Sequence, residues 1–235
     1  MANIHSESYV KSLFEEMSKS YGIVNLISSL GFAYFWRKQA TYSLPSDSQN
    51  ICDLMAGGGE CLSHIRKRFG KRSTVHLVDW CEGMCNHARS AVKRKHATEC
   101  SVVNASALDL PFKESSFDSI ISTFGLKTLA THEIELLAQE IKRVLTPHGS
   151  ISLLEFSIPR NRFVRFFFRI YVKLYVPFLG WVFLGNPDNY RMLWRYTKEF
   201  GNCKSIVDAF EKHGFEIQYR SRFLGSATQI IGYLK

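Results

Sequence analysis

The stretch ICDLMAGGGECL, residues Ile51–Leu62, decides the fold. Apolar residues lead into Asp53, and three glycines follow at 57–59, where a strand would turn into a helix against a closely bound ligand. A P-loop does not fit, because no Gly-Lys-Ser/Thr follows, and the GxGxxG spacing of a dinucleotide fold is also missing. Met55 stands where such loops normally carry a glycine or another small residue.

Short apolar runs and amphipathic stretches alternate around this loop. The predicted strands are Gln49–Leu54, Thr74–Val78, Cys100–Asn104, Phe117–Ser122 and Ser150–Phe156. The clearest helix covers Thr131–Leu145 and stops at the proline and glycine of TPHG, while residues 8–40 look helical with turns near Gly22 and Gly31. The pattern predicts an α/β protein with a doubly wound, mostly parallel sheet and a ligand at the carboxyl ends of its strands.

Asp79 follows the second predicted strand, 26 residues beyond Asp53. A carboxylate at this distance is typical of one that accepts both hydroxyls of a ribose. Together with the glycine loop it predicts a nucleoside ligand. Because the phosphate-binding motifs are missing, the remaining candidate is a nucleoside that carries an amino acid, S-adenosylmethionine.

The composition limits the protein class and its partners. The 235 residues suit one α/β domain, and a net charge of +9 favours an acidic partner, either nucleic acid or an anionic membrane surface. The six cysteines form no CxxC pair, and the first 20 residues lack the apolar core of a secretory signal, which predicts a reducing cytoplasm. The sequence contains no uninterrupted run of about 18 apolar residues, so no membrane-spanning helix is predicted.

Several further motifs carry a family resemblance, namely LPFKESSFDSI, STFGLKT, LLEFSIP and DNYRML. With them the chain resembles the class I S-adenosylmethionine-dependent methyltransferases, and most of all the ubiquinone/menaquinone biosynthesis C-methyltransferase family, over about residues 9–233. The resemblance implies a seven-stranded Rossmann-like methyltransferase sheet in a single domain, residues 1–235. Its expected parts are a helical lid at 1–45, a cofactor-binding core at 46–158, an amphipathic insertion and substrate lid at 159–200, and a C-terminal helix and strands at 201–235.

The resemblance also implies site residues and an activity, the C-methylation of a prenylated quinol or a similar lipophilic aromatic molecule. The residues expected at the cofactor are Tyr21, Asp53, Met55, Gly57, Gly59, Asp79, Trp80, Ser106, Ala107 and Thr123. Those expected to act on the substrate are Lys127, Tyr190, Arg191 and Asp188, with Lys127 stabilising a phenolate. No protein metal site is expected for this reaction.

Four positions depart from the family pattern and leave alternatives open. Met55 replaces a small residue, Ser106 replaces an Asp or Asn, and Gly22 replaces an Asp. Lys127 replaces an Arg, which is not a conservative exchange if the arginine acts as a planar fork. One alternative is a rhodoquinone biosynthesis enzyme, which uses the same cofactor as an amino donor with a divalent metal that Glu60 and Asp109 would assist. Another is a catalytically idle scaffold in a quinone-pathway complex, and a homodimer is also open.

Residues 160–184 form a basic, aromatic stretch. Arg162, Arg165, Arg169 and Lys173 are spaced to lie along one face of a helix. Either the intervening aromatics pack against their own domain, or the helix is a surface that admits the substrate from an anionic bilayer, and we favour the second. This second interpretation predicts that the protein attaches peripherally to the inner face of the membrane.

Two other possibilities are disfavoured by the residues themselves. Cys81, Cys85 and His87 repeat no known metal-ligand spacing, so packing is expected there. Methylation of exocyclic base amines is disfavoured because STFG stands where such enzymes tend to carry an N/D-P-P-Y/F motif. Nucleic acid is therefore not the expected partner.

Overall fold

A central sheet organises the chain, of which the computed structural model describes residues 4–29, 31–183 and 186–235, leaving out the side chains of residues 7, 19–23, 25, 26 and 28. The strands are β1 Asn50–Leu54, β2 Thr74–Asp79, β3 Cys100–Asn104, β4 Phe117–Thr123, β5 Leu145–Phe156, β6 Phe215–Arg222 and β7 Ala227–Leu234. They lie in the order β3-β2-β1-β4-β5-β7-β6, and β7 runs antiparallel to both of its neighbours. The predicted seven-stranded, mostly parallel sheet is confirmed.

Helices cover both faces of the sheet, as the alternation of strands and helices predicts. They are α1 Glu7–Ser28, α2 Phe32–Tyr42, α3 Leu62–Phe69, α4 Glu82–Arg94, α5 Thr131–Val144, α6 Arg162–Ile170, α7 Val176–Val182, α8 Pro187–Phe200 and α9 Lys204–Lys212. One core packs α5 and α9 against the sheet around Phe117 and Phe210, and a second packs α2, α3 and α4 on the opposite face around Ile51 and Leu77.

Two features differ from the sequence prediction by more than one residue. Strand β5 starts at Leu145 rather than Ser150, because Leu145 already pairs with Phe117 before a shift in register. Helix α1 continues through position 22 without a turn, whereas the chain does turn at Gly31, where φ is 81°. A single glycine inside a helix costs only about 1 kcal/mol, which tertiary packing readily offsets.

A third cluster of buried residues lies apart from the sheet. There α1 packs against α7 and α8 through Val10, Leu13, Val176 and Tyr190. The hydroxyl of Tyr196 donates a hydrogen bond of 2.6 Å to the carbonyl of Ile4 and ties the start of the chain to α8. Within residues 4–29, 31–183 and 186–235, no helix combines the length and apolarity needed to cross a bilayer.

Candidate active site

The carboxyl ends of β1, β2 and β4 open onto a cavity of about 960 Å³, which we call the cofactor cavity. This is the point where successive strands leave the centre of the sheet in opposite directions, and ligands of open α/β sheets bind there. Of the residues expected at the cofactor, those that line the cavity are Met55, Gly57, Asp79, Trp80, Ser106, Ala107 and Thr123.

Asp79 lies at the tip of β2 with both carboxylate oxygens held by backbone. The amide of Gly57 donates to Oδ2 at 2.8 Å, and the amide of Cys81 donates to Oδ1 at 3.0 Å. Burial raises the pKa of Asp79 to about 6, and these two hydrogen bonds oppose that rise. Asp79 therefore links the glycine loop to the wall of the cavity and still has acceptor capacity for ligand hydroxyls.

Asp53 and Gly59 support the cavity from behind rather than lining it. Asp53 is buried, and its Oδ2 has no hydrogen-bond partner among the described residues. Burial, followed by the nearby Glu60 carboxylate, raises the pKa of Asp53 well above its usual value. Gly59 has φ of 78° and packs beside Leu77, so it permits the turn into α3.

Arg37, Glu60 and Glu133 add three charged side chains to the lining of the cofactor cavity, and of these the sequence led us to expect only Glu60 near the site, as an aid to a metal. Arg37 of α2 is buried, and its guanidinium lies 4.9 Å from the ring centre of Phe124. Glu60 faces the same space from the end of the glycine loop. Arg37 falls on the buried face of α2 with Ala33, Trp36 and Ala40, and a charge on such a face is a signal that the sequence offered.

These charges suit S-adenosylmethionine, which is cationic at its sulfonium and ammonium groups and anionic at its carboxylate. Asp53, Glu60 and Asp79 place three carboxylates in or beside the cavity, and their mutual repulsion contributes to the raised pKa of Asp53. A bound cation would relieve that repulsion. The guanidinium of Arg37, which also lines the cavity, suits the carboxylate of the cofactor.

Met55 is accommodated by an unusual backbone and a small neighbour. Its φ is 54°, in the left-handed region that glycine adopts most easily, which explains why small residues are normal here. Its side chain packs against Gly125 in the loop after β4, where a Cβ would lie 2.7 Å from the Met55 sulfur. The methionine therefore fills space that the glycine leaves vacant.

A second cavity of about 820 Å³, the apolar cavity, lies under α1, α7 and α8. Its walls are mostly aliphatic and aromatic, with Leu13, Met17, Phe168, Val172 and Leu193 among them. Phe14, Phe124 and Thr128 line this cavity and the cofactor cavity alike. The two cavities therefore meet at these side chains, where a group could pass from a cofactor to a lipophilic molecule.

Lys127 brings a charge into the wall of the apolar cavity. Its Nζ lies 3.0 Å from Oε1 of Glu155 and also donates to the carbonyl of Phe124. The Glu155 carboxylate is fully buried and accepts a second bond from the Lys127 amide at 3.1 Å. An ammonium has three N–H donors, so one remains for a ligand after these two contacts.

The substrate-lid residues divide between the cavity and the surface. Tyr190 is buried, lines the apolar cavity and covers Gly180, where any side chain would collide with its ring. Asp188 and Arg191 instead pair with each other on the exposed side of α8, with 71% and 63% of their side chains exposed. The structure does not bring these two residues to either cavity, because they point away from the helix face that carries Tyr190.

Helix α1, in the segment expected to be a lid, contacts α4 through Glu15. Its two carboxylate oxygens accept from the amides of Glu82 at 2.7 Å and Gly83 at 3.0 Å, which caps the first turn of α4. Trp36 lies buried among Phe124, Phe156 and Phe223. The side chain of Tyr21, which the resemblance assigns to the cofactor, lies outside the described residues.

The cysteines after β2 serve packing. Cys81 and Cys85 are buried, and the thiol of Cys85 lies 3.2 Å from the carbonyl of Asp79. In the part of the chain that the structure describes, no three His, Cys, Asp or Glu side chains converge as a metal-binding group. Glu60 lines the cofactor cavity, whereas Asp109 does not.

Known proteins are similar to this chain in sequence and in fold. The model of the ubiE/COQ5 methyltransferase family matches residues 2–233. A demethylmenaquinone methyltransferase of Staphylococcus haemolyticus is 28% identical over 98% of this chain and 96% of its own, and one of Chlamydia pneumoniae is 29% identical over 93% of each. A SAM-dependent methyltransferase of Thermotoga maritima has a similar fold, with a TM-score of 0.64, 19% identity, and 95% and 99% of the two chains covered.

Proposed function

The chain belongs to the ubiE/COQ5 methyltransferase family and is an S-adenosylmethionine-dependent methyltransferase, and from this premise we propose that it methylates a ring carbon of a prenylated quinol. The observation that carries the proposal is the apolar cavity, which adjoins the cofactor cavity at Phe14, Phe124 and Thr128. Relatives named demethylmenaquinone methyltransferase favour a demethylated naphthoquinol as the substrate.

When bound, the cofactor would supply an electrophilic methyl group: the C–CH3 bond to the ring forms as the S–CH3 bond breaks, the neutral thioether leaves, and the ring carbon then loses its proton to water. The protein's task is to align the acceptor carbon with the methyl group. The aromatic and aliphatic walls of the apolar cavity suit a quinol ring and the start of its prenyl tail. Phe14 and Phe124, at the junction, hold the ring between the two cavities and exclude water from it.

Lys127 supports the electronic part of the reaction. A quinol carbon becomes a good nucleophile when the neighbouring hydroxyl ionises, and a nearby ammonium stabilises that oxyanion. Glu155 and the Phe124 carbonyl hold the Lys127 Nζ at the cavity wall and leave one donor for the substrate oxygen. Tyr190 packs along the same wall and limits how the ring can turn.

The test combines the purified protein, S-adenosylmethionine and a reduced, demethylated naphthoquinol with a short prenyl chain. Mass spectrometry should find one added methyl group on the ring. Lys127→Gln should lower kcat on the order of 100-fold, the cost of removing one preorganised donor to an oxyanion. Cofactor affinity should hardly change, because Lys127 does not line the cofactor cavity.

Lys93→Gln, at an exposed position of α4, is the matched control and should behave as the wild type. Replacement of a ubiquinone methoxy by an amino group would instead identify the rhodoquinone chemistry. Binding of cofactor and quinol without turnover would identify the idle scaffold of a quinone-pathway complex. Either result would overturn the C-methylation proposal.

We also propose that the protein attaches peripherally to the inner face of an anionic membrane through residues 160–184. Support comes from α6, in which no residue is buried: Phe163, Phe166 and Phe167 are exposed, and of its phenylalanines only Phe168 lines the apolar cavity. Arg162, Arg165 and Arg169 are exposed on the same helix. Replacing all three by Glu should abolish flotation with anionic liposomes and leave cofactor binding intact, whereas normal flotation of this variant would contradict the proposal.

A further inference from the structure

The acidic residues are unevenly distributed along the chain. Residues 17–46, 156–187 and 217–235 contain no Asp or Glu, although the chain has 21 of them. The same three segments carry 11 of the 30 Lys and Arg residues. The rest of the chain therefore has a slight negative balance, and the positive surplus comes entirely from these segments.

The exposed apolar side chains follow the same distribution. Among the described residues, 17 large hydrophobic side chains are exposed, and 16 of them belong to the three acid-free segments. The exception is Leu136 on α5. Outside the stretch 160–184, the group includes Phe32, Phe35, Phe223 and Leu224. An apolar surface of this extent on a soluble domain marks an interaction site.

The three segments meet in space. The ring centres of Phe32 and Phe223 lie 4.6 Å apart and join the start of α2 to the turn between β6 and β7. Gly225, in the same turn, lies against Pro159 and Arg160, where a Cβ would be 3.5 Å from the Pro159 Cα. Arg160 leads directly into α6. We call the joint surface of the three segments the acid-free face.

The turn Phe223–Gly225 presents its side chains at a conformational cost. Phe223 has φ of 37° and Leu224 φ of 54°, both in the left-handed region, and their side chains are 54% and 69% exposed. Two large L-residues in this region together cost on the order of 2 kcal/mol, which glycine or asparagine would avoid. Packing against Phe32 and Trp36 covers only part of Phe223, and more than half of both side chains faces outward.

We propose that the acid-free face is a lipid-docking surface with two anchors, the α6–α7 stretch and the turn Phe223–Leu224, seated on a bilayer of anionic phospholipid. The inference extends the proposed membrane attachment, on which it rests. The three segments contain Lys and Arg but no Asp or Glu, and such a charge distribution complements anionic headgroups. Their exposed aromatic side chains suit the boundary between the headgroups and the acyl chains of the bilayer. The inner side of the same stretch, at Phe168, Tyr171 and Val172, lines the apolar cavity, so docking brings the cavity wall to the lipid.

The test uses vesicles of phosphatidylcholine with phosphatidylglycerol, and the double variant Phe223→Ser/Leu224→Ser. Its partition coefficient should fall about tenfold or more, because two apolar side chains no longer enter the bilayer. Leu136→Ser is the matched control, since this exposed leucine lies outside the acid-free face, and it should bind as the wild type. Circular dichroism of both variants should match the wild type, because the replaced side chains are exposed.

Two further measurements distinguish loss of the anchor Phe223–Leu224 from loss of attachment through α6 and from loss of catalysis. Turnover of a short-chain, water-soluble quinol should be unchanged in the double variant, while turnover of a long-chain quinol embedded in vesicles falls with binding. If the double variant binds vesicles normally while Arg162→Glu/Arg165→Glu/Arg169→Glu does not, the second anchor is wrong and attachment through α6 stands. If the double variant loses a dimer in ultracentrifugation rather than vesicle binding, the face is an interface between copies.

Discussion

Met55 and Gly125 form a pair across two loops of the cofactor cavity. Methionine at a position with left-handed backbone angles costs conformational energy. The Met55 side chain fits only because Gly125 has no side chain. Gly125 itself has φ of −100°, an ordinary value that alanine tolerates. The glycine is therefore required by the methionine beside it rather than by its own backbone.

This pairing predicts a strongly non-additive double-mutant cycle. Gly125→Ala should lower the free energy of unfolding by about 1–3 kcal/mol and weaken cofactor binding, because its Cβ collides with Met55. Adding Met55→Ala should restore most of both losses, since it vacates the space. Chemical denaturation and calorimetric titration measure the two quantities, and simple addition of the single effects would contradict the pairing.

Asp79 predicts a pH dependence of cofactor binding. We expect the ribose hydroxyls of the cofactor to donate to the ionised carboxylate of Asp79, whose pKa in the free protein is about 6. Affinity for S-adenosylmethionine should therefore fall about fourfold from about pH 7.5 to about pH 5.5. Asp79→Asn should bind weakly and lose this dependence, whereas a dependence that survives in the variant would assign it to another group.

The same carboxyl has the opposite effect on the stability of the ligand-free protein. Because burial raises its pKa above the unfolded value, the folded state favours the protonated form. The free energy of unfolding should decline as the pH rises from about 4 to about 6, by an amount on the order of 3 kcal/mol from this group. Asp79→Asn should flatten that decline.

The sequence made some residues of the site predictable and concealed others. The position of Asp79 at the cofactor cavity could be predicted because it depends only on where one strand ends, which is a local signal. The pairing of Lys127 with Glu155 could not, since it depends on neighbouring strands bringing two segments into contact. The DNYRML motif predicts site roles for Asp188, Tyr190 and Arg191 together. Of these three side chains, only that of Tyr190 lines the apolar cavity, because the other two lie on the exposed side of α8.

At the scale of elements, Glu15 connects the lid to the cofactor-binding core. Its carboxylate supplies the cap that α4 lacks locally, because Cys81 makes no side-chain capping bond. Gly83 allows the close approach, since a Cβ there would lie 2.7 Å from both Glu15 Oε2 and Ser18 Oγ. The first turn of α4 and the middle of α1 are thus held together by one side chain.

Glu15→Ala should release S-adenosylmethionine about tenfold faster, because loss of such a cap costs about 1–2 kcal/mol and α1 covers the cofactor cavity with Val10 and Phe14. Lys11→Ala, on an exposed position of α1, should leave the rate unchanged. Stopped-flow displacement measures the rates. An unaltered release rate in Glu15→Ala, alongside reduced stability, would restrict Glu15 to a purely structural role.

The elements themselves differed in how far their sequence determined them. The proline and glycine of TPHG sufficed to locate the end of α5, which is observed at Val144, one residue before the predicted end. The stretch 160–184 was predicted to be helical, but its aromatics occur around most of the helix, so periodicity could not say which face packs inward. Contact with α8 decides that: Arg169 lies over the ring of Trp194, Phe168 lines the apolar cavity, and Val172 and Val176 are buried.

At the scale of the whole molecule, the alternation of strands and helices suffices to predict a parallel sheet, and the resemblance adds its strand number. The three acid-free segments are visible in the sequence, yet their convergence is not. It depends on contacts between residues far apart in the chain, such as Phe32 with Phe223 and Gly225 with Pro159.

Because α6 presents the exposed cations Arg162, Arg165 and Arg169 in a segment that contains no Asp or Glu, we expect the protein to have a dipole whose positive end is the acid-free face. Long-range attraction should orient it during diffusion, before any ring touches lipid. The arrival rate at anionic vesicles should then fall steeply with salt, whereas the departure rate should respond to Phe223→Ser and hardly to salt. Tryptophan fluorescence in stopped flow measures both rates, and equal salt sensitivity would contradict this division. Charge would set how often the protein visits a membrane, and aromatic side chains how long it stays.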